Sequence, residues 1–284
     1  MGSETGQSGP ETGTLRGGHG NRLFYRRWRA PGVEKTLLIV HGLSEHSARY
    51  LHVGGFFQAR GYNVMAFDLR GHGRSEGRRG WVGRYADLGT DLEAVFQEVD
   101  ARRTVVFAHS FGAQLALWFL AQSGQRPQGL VASAPWLALT EPPGPNLVRF
   151  ARFLNLWWPA FGFRSGITGA KVSGDQAFLD SFEDKHLGLR VVRVRTYFEA
   201  ERTAAGLRDR PRCPVPVLLA HGSDDPVTSL AETLKFFERL EAPAKELRIY
   251  PGFRHELHNE TGRDTVLQDY FEWIEGRLKG KVSG

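Results

Sequence analysis

The chain predicts an α/β fold with a doubly wound, mostly parallel sheet and an inserted helical cap, and three observations predict it. Short runs rich in Val, Leu and Ile recur along the chain, each followed by Gly, Pro, Asp or His. Strands buried on both faces read as such near-continuous apolar runs. Helical stretches lie between these runs, and that alternation marks a parallel sheet covered on both sides. One interval, residues 136–210, breaks the alternation and shows no clear strand, which predicts an insertion over one end of the sheet.

In chain order, residues 1–14 are polar, rich in Gly, Ser and Glu, and have no apolar segment; a disordered tail is expected there. Leu23 to Trp28 alternates and stops before Pro31, suggesting an edge hairpin with residues 14 to 19. The parallel units then begin. Strands are expected at 35–40, 63–68, 104–108, 129–133, 215–220 and 246–250, with helices at 85–101, 111–122, 229–240 and 264–278. Within 136–210, Pro142, Pro143, Pro145 and Pro159 punctuate helical pieces at 146–158 and 189–205. The expected organisation is therefore one domain, with a core of 15–135 and 211–284 and a helical cap at 136–210.

Bulk properties narrow the function. With 284 residues and 41% hydrophobic content, the chain can bury a sizeable core. Its net charge of +6 arises from 37 basic and 31 acidic residues, interspersed without a long basic run, so a nucleic-acid partner is not expected. The single cysteine, Cys213, excludes an internal disulfide and a cysteine-cluster metal site, which points to a reducing, cytoplasmic setting. Nowhere do about 18 apolar residues run together, so no membrane span is expected.

Val105-Val-Phe-Ala-His-Ser-Phe-Gly-Ala113 carries the chemistry. It runs a β-branched stretch into a serine and then into an apolar helix. A serine on such a cramped strand-to-helix turn presents its Oγ to a substrate and leaves the next backbone N–H free at a helix N-terminus. Ala108 and Gly112 are small enough for strand and helix to approach closely. The commonplace reading of Ser110 alone is a helix N-cap. An elbow, however, predicts an acid after a later strand and a histidine after the last, and both are present. His221-Gly-Ser-Asp-Asp-Pro226 follows one apolar run, and Pro251-Gly-Phe-Arg-His255 follows another. Asp225 and Asp224 compete for the acid, and Asp225 is favoured because Pro226 biases it to an extended backbone. A serine hydroxyl needs a base that later returns the proton, and histidine, with an ordinary pKa near ~6.5, suits both steps.

The segments Val40-His-Gly-Leu-Ser-Glu-His-Ser-Ala-Arg-Tyr50, Phe67-Asp-Leu-Arg-Gly-His-Gly-Arg-Ser-Glu76, Ala108-His-Ser-Phe-Gly112 and Tyr250-Pro-Gly-Phe-Arg-His-Glu-Leu-His-Asn-Glu260 resemble the monoacylglycerol lipase and lysophospholipase branch of the α/β-hydrolase fold. The likeness runs from roughly Leu23 to Leu278. It implies a serine hydrolase acting on a carboxylic ester with a long acyl chain, with Ser110 as nucleophile, Asp225 as acid and His255 as base. The oxyanion-hole amides then fall on Leu43 and Phe111. Ser44, Ala48 and Ala108 stand where that branch commonly has glycine. The register also favours His255 over His258 as the base.

The remaining candidates follow from position. His41, His109 and His221 sit beside strand ends and are read as local hydrogen-bonding residues. His255 and His258 lack a clear third ligand, so no metal is expected, and the mechanism requires no cofactor. His258 is assigned a structural or substrate-pocket role. In the cap, Phe150, Phe153, Leu156 and Trp157 are read as substrate-binding, and the same apolar helix as a possible transient contact with a membrane surface. Arg70-Gly-His-Gly-Arg74 lacks the spacing of a nucleotide-binding loop. Monoacylglycerol is the favoured substrate, with a general carboxylesterase or lysophospholipase next, and a ligand-sensing protein without turnover as the alternative of another class.

Overall fold

The computed structural model describes residues 9–164, 166–180, 188 and 191–279. Strands β1 (Glu11–Arg16), β2 (Arg22–Trp28) and β3 (Thr36–Val40) precede helix α1 (Leu51–Gln58), β4 (Asn63–Phe67), α2 (Tyr85–Phe96), β5 (Thr104–His109), α3 (Phe111–Gln122) and β6 (Gly129–Ser133). Next come α4 (Pro145–Trp157), β7 (Gly162–Arg164), α5 (Gly169–Val172), α6 (Gln176–Asp180), β8 (Val191–Arg193) and α7 (Val194–Asp209). The chain closes with β9 (Val217–Gly222), α8 (Leu230–Arg239), β10 (Lys245–Tyr250) and α9 (Arg263–Lys279).

Among the described residues, eight strands make one sheet in the order β1-β2-β4-β3-β5-β6-β9-β10. The pairs β1–β2 and β2–β4 are antiparallel, and all others are parallel. The expected sheet is thus present. Its central strand shows why the sequence reads as it does. All six residues of β5 are buried, with Val105 and Phe107 packed into the core on one face and Val106 and Ala108 into the core on the other. Burying a side chain such as Phe107 stabilises the fold by about 1.5–3 kcal/mol, so both faces demand apolar residues and no polar alternation survives.

The order of the strands creates the site. From β3 the chain moves to β4 on one side and then returns to β5 on the other. Beyond the carboxyl ends of β3 and β5 a crevice opens, the usual ligand position in such sheets. Two glycines set how closely the loops there approach. A Cβ on Gly112 would lie 2.3 Å from the Val40 carbonyl oxygen, and one on Gly222 would lie 2.2 Å from that of Phe253. Glycine therefore lets α3 press on the end of β3 and the end of β9 press on the loop carrying His255.

Three differences from the sequence reading have physical causes. The expected tail lies outside the described residues for 1–8, but from Glu11 the chain is already strand, paired from Glu11↔Arg27 to Arg16↔Arg22. The hairpin partner of β2 is therefore 11–16 and not 14–19, because antiparallel pairing tolerates the small polar residues that suggested disorder. Helix α1 is absent from the sequence expectations, since Gly54 and Gly55 weaken its pattern. Within 136–210, β7 and β8 form a short antiparallel pair in register Phe163↔Val192, too brief for a period of two to show. That pair flanks α4, and α7 ties the segment to the core. Thr196 Oγ1 donates to the Gly80 carbonyl (2.8 Å), Tyr85 N–H donates to Glu199 (2.9 Å), and Gln114 Nε2 donates to the Ala200 carbonyl (3.1 Å). No helix among the described residues is long and apolar enough to cross a membrane.

Candidate active site

Ser110 stands between β5 and α3 with φ 52° and ψ −115°. A side chain seldom adopts positive φ, and this pair lies outside even the left-handed helical well. Hydrogen bonds hold the turn there: Ser110 N–H donates to the Ser133 carbonyl (2.8 Å), while the Ser110 carbonyl accepts from Gln114 N–H (3.0 Å) and Trp136 N–H (3.1 Å). The hydroxyl is thereby thrust out of the sheet end toward the loops that follow β9 and β10.

Those loops bring the other two residues. His255 Nε2 lies 3.0 Å from Ser110 Oγ, and its Nδ1 lies 2.8 Å from Asp225 Oδ2. All three residues are buried, with 4–7% of their surface exposed. Asp224 is not part of this chain of contacts; its carboxylate instead accepts from Ser223 Oγ (2.6 Å). Asp225 is the most thoroughly held group of the site. Its Oδ1 accepts from the backbone N–H groups of Val227 (2.7 Å) and Thr228 (3.0 Å), and its Oδ2 from Thr228 Oγ1 (2.8 Å). Burial works to raise its pKa, but the charge of His255 and the hydrogen bonds from His221 and His255 overcome this and hold the carboxyl far below the usual range. For His255 burial pulls downward, yet the Asp225 carboxylate prevails, and the imidazole is raised above its ordinary value. A base tied to an anion at one nitrogen faces a hydroxyl at the other.

Leu43 and Phe111, the expected oxyanion donors, stand just after β3 and at the start of α3. Phe111 is the first residue of α3, so its N–H has no intrahelical partner. Leu43 follows β3 and lines the cavity above Ser110. The backbone of Gly42 to Glu45 forms a turn, closed by Glu45 N–H to the Gly42 carbonyl (3.4 Å), with Ser44 at φ 70°. That is the third turn position, where positive φ favours glycine. Beneath the turn, Glu45 accepts from Gly42 N–H (3.2 Å) and from the Tyr50 hydroxyl (2.6 Å). Burial, followed by the nearby Glu256 charge, raises Glu45 to about 7, while Arg49 holds Glu256 down at about 2 against its own burial. Sequence reading passed over Glu45 and Arg49 as site residues, although both stand in the quoted segment after β3.

Ser110 and His255 open onto a cavity of about 340 Å³. Its lining divides by chemistry: Trp136, Leu139, Phe163, Val192, Tyr197 and Val227 form apolar wall, whereas Ser44, Glu45, Arg49, Lys171 and Glu256 supply polar groups. A second cavity of about 200 Å³ lies beneath α4, lined by Leu147, Val148, Phe150, Ala151, Leu154 and Phe161 among others. Pro143, Phe163 and Tyr197 line both. The Phe163 and Tyr197 rings meet edge to face at 6.4 Å.

The five residues expected to touch substrate are distributed differently. Phe150 lines the second cavity. Phe153, Leu156 and Trp157 line neither; they are 57%, 76% and 78% exposed on the outer face of α4, of which only Ala151 is buried. A helix apolar around most of its surface does not reveal from sequence which side meets the core. His258 is fully buried and stacks on Tyr50 at 4.7 Å, behind His255 and away from the cavity. Burial lowers it well below an ordinary histidine.

Comparison with known proteins follows the same lines. A family model described as serine aminopeptidase, S33, matches residues 31–262. An uncharacterized abhydrolase domain-containing protein of Dictyostelium discoideum is 28% identical over 264 residues; the match takes in 90% of this chain but only 28% of that protein's length. The monoglyceride lipase of Homo sapiens is 29% identical over 275 residues, 91% of this chain and 88% of its own. Among solved structures, a Paleococcus ferrophilus monoacylglycerol lipase superimposes with a TM-score of 0.82 at 22% identity, covering 90% of this chain and 99% of its own, which shows a shared fold.

Proposed function

Since the chain belongs to the serine aminopeptidase S33 family of hydrolases, we propose that it cleaves carboxylic esters of long-chain acids, with monoacylglycerol as the favoured substrate. The observation that carries this reading is the contact chain from Asp225 through His255 to Ser110, opening onto a cavity whose larger wall is apolar. The similarity to monoglyceride lipase supports the substrate class. Peptide amines are disfavoured because the buried carboxylates of the wall are already engaged, Glu256 by Arg49 and Glu45 by Tyr50 and Gly42.

In this reading Ser110 Oγ attacks the ester carbonyl carbon as its proton passes to His255 Nε2. Asp225 holds the ring in the tautomer that can accept it and stabilises the imidazolium. The tetrahedral oxyanion is received by the N–H groups of Leu43 and Phe111, each such donor contributing about 10²–10³ in rate. Collapse expels glycerol, which takes the proton from His255 and leaves an acyl-Ser110. A water molecule then attacks the acyl carbon, giving a proton to His255. The second collapse releases the fatty acid and returns that proton to Ser110.

Residues 136–210 act here as a cap. The inner side of α4 covers the second cavity, whose apolar lining suits the far end of an acyl chain. Its outer side presents Phe153, Leu156 and Trp157, each at least 57% exposed, followed at its carboxyl end by Trp158 at 58%, while Arg149 and Arg152 supply charge on the same helix. Such a face suits the boundary between lipid head groups and acyl chains. A cytoplasmic setting is supported by the single cysteine, which is buried.

Labelling with a fluorophosphonate probe tests the mechanism: rapid modification of the wild type, lost in Ser110→Ala, is expected, and no labelling of the wild type would favour a ligand-binding protein without turnover. Monoacylglycerols set beside p-nitrophenyl esters of increasing length and an aminoacyl p-nitroanilide test the substrate. Activity peaking at acetate or butyrate with glycerides ignored would leave an esterase, and preference for the anilide a peptidase.

A further inference from the structure

We infer that His221 and Thr228 are positioning residues for this reaction, locking the Asp225 carboxylate in the plane and orientation that His255 requires. The inference rests on the reading of Asp225 and His255 given above. His221 is the penultimate residue of β9 and Thr228 lies in the loop after Asp225, so the acid is gripped from both sides of its own turn.

The contacts fix what each does. His221 Nε2 lies 3.1 Å from Asp225 Oδ2 and 3.0 Å from the Thr228 carbonyl oxygen. Both neighbours are acceptors, so this nitrogen carries the hydrogen and donates. The other nitrogen, Nδ1, is buried and has no hydrogen-bond partner among the described residues. A buried polar atom without a partner carries a cost, so fold stability alone is a poor account of an imidazole here. Its bonded nitrogen, by contrast, is shared between the acid and the Thr228 carbonyl that closes the acid's loop. Thr228 Oγ1 is 2.8 Å from Asp225 Oδ2 and 3.3 Å from the Ala134 carbonyl; the shorter contact takes its single hydrogen. Asp225 Oδ2 therefore receives His255, His221 and Thr228 together.

The arrangement acts on His255 in two ways. With Oδ1 pinned by two backbone amides and Oδ2 by two side chains, the carboxylate cannot turn, and the imidazole it holds stays aimed at Ser110. The two side-chain donors also share the negative charge that the imidazolium would otherwise draw on alone, so they moderate the basicity of His255. The other titratable and charged groups near His255 are His109, whose ring centroid is 4.7 Å away, and the carboxylates Glu45 and Glu256. None of these contacts Asp225 Oδ2.

The test compares His221→Leu and His221→Gln with Thr228→Val and Thr228→Ser, reading kcat and KM separately and the acid limb of kcat/KM against pH. His221→Leu and Thr228→Val are each expected to lower kcat on the order of tenfold with KM within about twofold. Each should also move the acid limb upward, on the order of half a pH unit, because the carboxylate left with fewer donors holds a proton on His255 more strongly. Gln, whose amide can reach the place of Nε2, and Ser, which keeps the hydroxyl, should restore both. Wild-type kcat with an unmoved or lowered acid limb in the folded Leu and Val variants would overturn the inference; so would Gln and Ser variants no better than these. If His221→Leu fails to fold, the Thr228 pair and His221→Gln decide alone. Turnover in the wild type that survives Ser110→Ala would instead sink the underlying reading, and so separates the two failures.

Discussion

Replacing Ser110 by glycine is expected to give a more heat-stable protein than replacing it by alanine, although both lose all turnover. Both variants forfeit the hydroxyl and its contact with His255, so that loss cancels in the comparison. What differs is the backbone. At φ 52° and ψ −115° a residue with a Cβ carries a strain of about 1–3 kcal/mol, which glycine relieves. Glycine also frees the unfolded chain, which offsets about 0.5–1 kcal/mol of the gain. The remainder, about 1 kcal/mol in favour of glycine, corresponds in a chain of this size to a rise of about 2 °C or more in Tm. Differential scanning calorimetry of the two variants at equal concentration measures it. A glycine variant melting at or below the alanine variant would refute the reasoning, because it would mean that the hydrogen bonds to the Ser133 carbonyl and from Gln114 and Trp136 impose no strain on the turn.

Asp225→Asn should lower kcat by about 10⁴ by presenting a donor where an acceptor is required. Because Asp225 raises His255, and activity needs His255 unprotonated, the wild type loses activity as pH falls through that raised value; the Asn variant should hold its residual activity to lower pH, seen in kcat/KM against pH. Phe163→Ala merges the two cavities, so kcat/KM should rise for long acyl chains relative to short ones, and an unchanged chain-length profile would speak against passage beneath α4. Leu156→Ser with Trp157→Ser should weaken cosedimentation with lipid vesicles and raise KM for vesicle-borne monoacylglycerol, while hydrolysis of soluble p-nitrophenyl butyrate stays within about twofold.

The parallel sheet was legible because its strands are buried on both faces, so that Val, Leu and Ile crowd into runs such as Val105 to Ala108. Its loops were legible for a related reason. A strand end that must turn a residue toward the crevice needs small or turn-forming neighbours, and Gly112, Gly222 and Pro226 mark those points. What sequence could not supply was direction. Helix α4 is apolar on both its sides, and no periodicity distinguishes Phe150, which lines a cavity, from Phe153, Leu156 and Trp157, which face outward. The two roles left open for His258 are told apart only in space: three residues from His255 in sequence, its imidazole turns back into the core, where it stacks on Tyr50. The short pair β7–β8 lies below the length at which alternation can be told from chance.

The same contrast explains why the supports of the site were harder to find than its principal residues. Ser110, Asp225 and His255 each follow a strand, so the fold announces them in chain order. Glu45, His221 and Thr228 act through hydrogen bonds whose partners lie elsewhere in the loops, and only distances reveal those. Ser44 joins both kinds. The resemblance drawn from the sequence implies glycine at its position, and the turn from Gly42 to Glu45, which sets Ser44 at φ 70°, supplies a physical reason for one. A β-turn that would relax toward negative φ is held by Glu45, which grips Gly42 N–H from below and is itself gripped by Tyr50. The amide of Leu43 lies inside that turn. Where that N–H points is therefore set by Glu45 and Tyr50 as much as by Leu43, whose own side chain has little say in it.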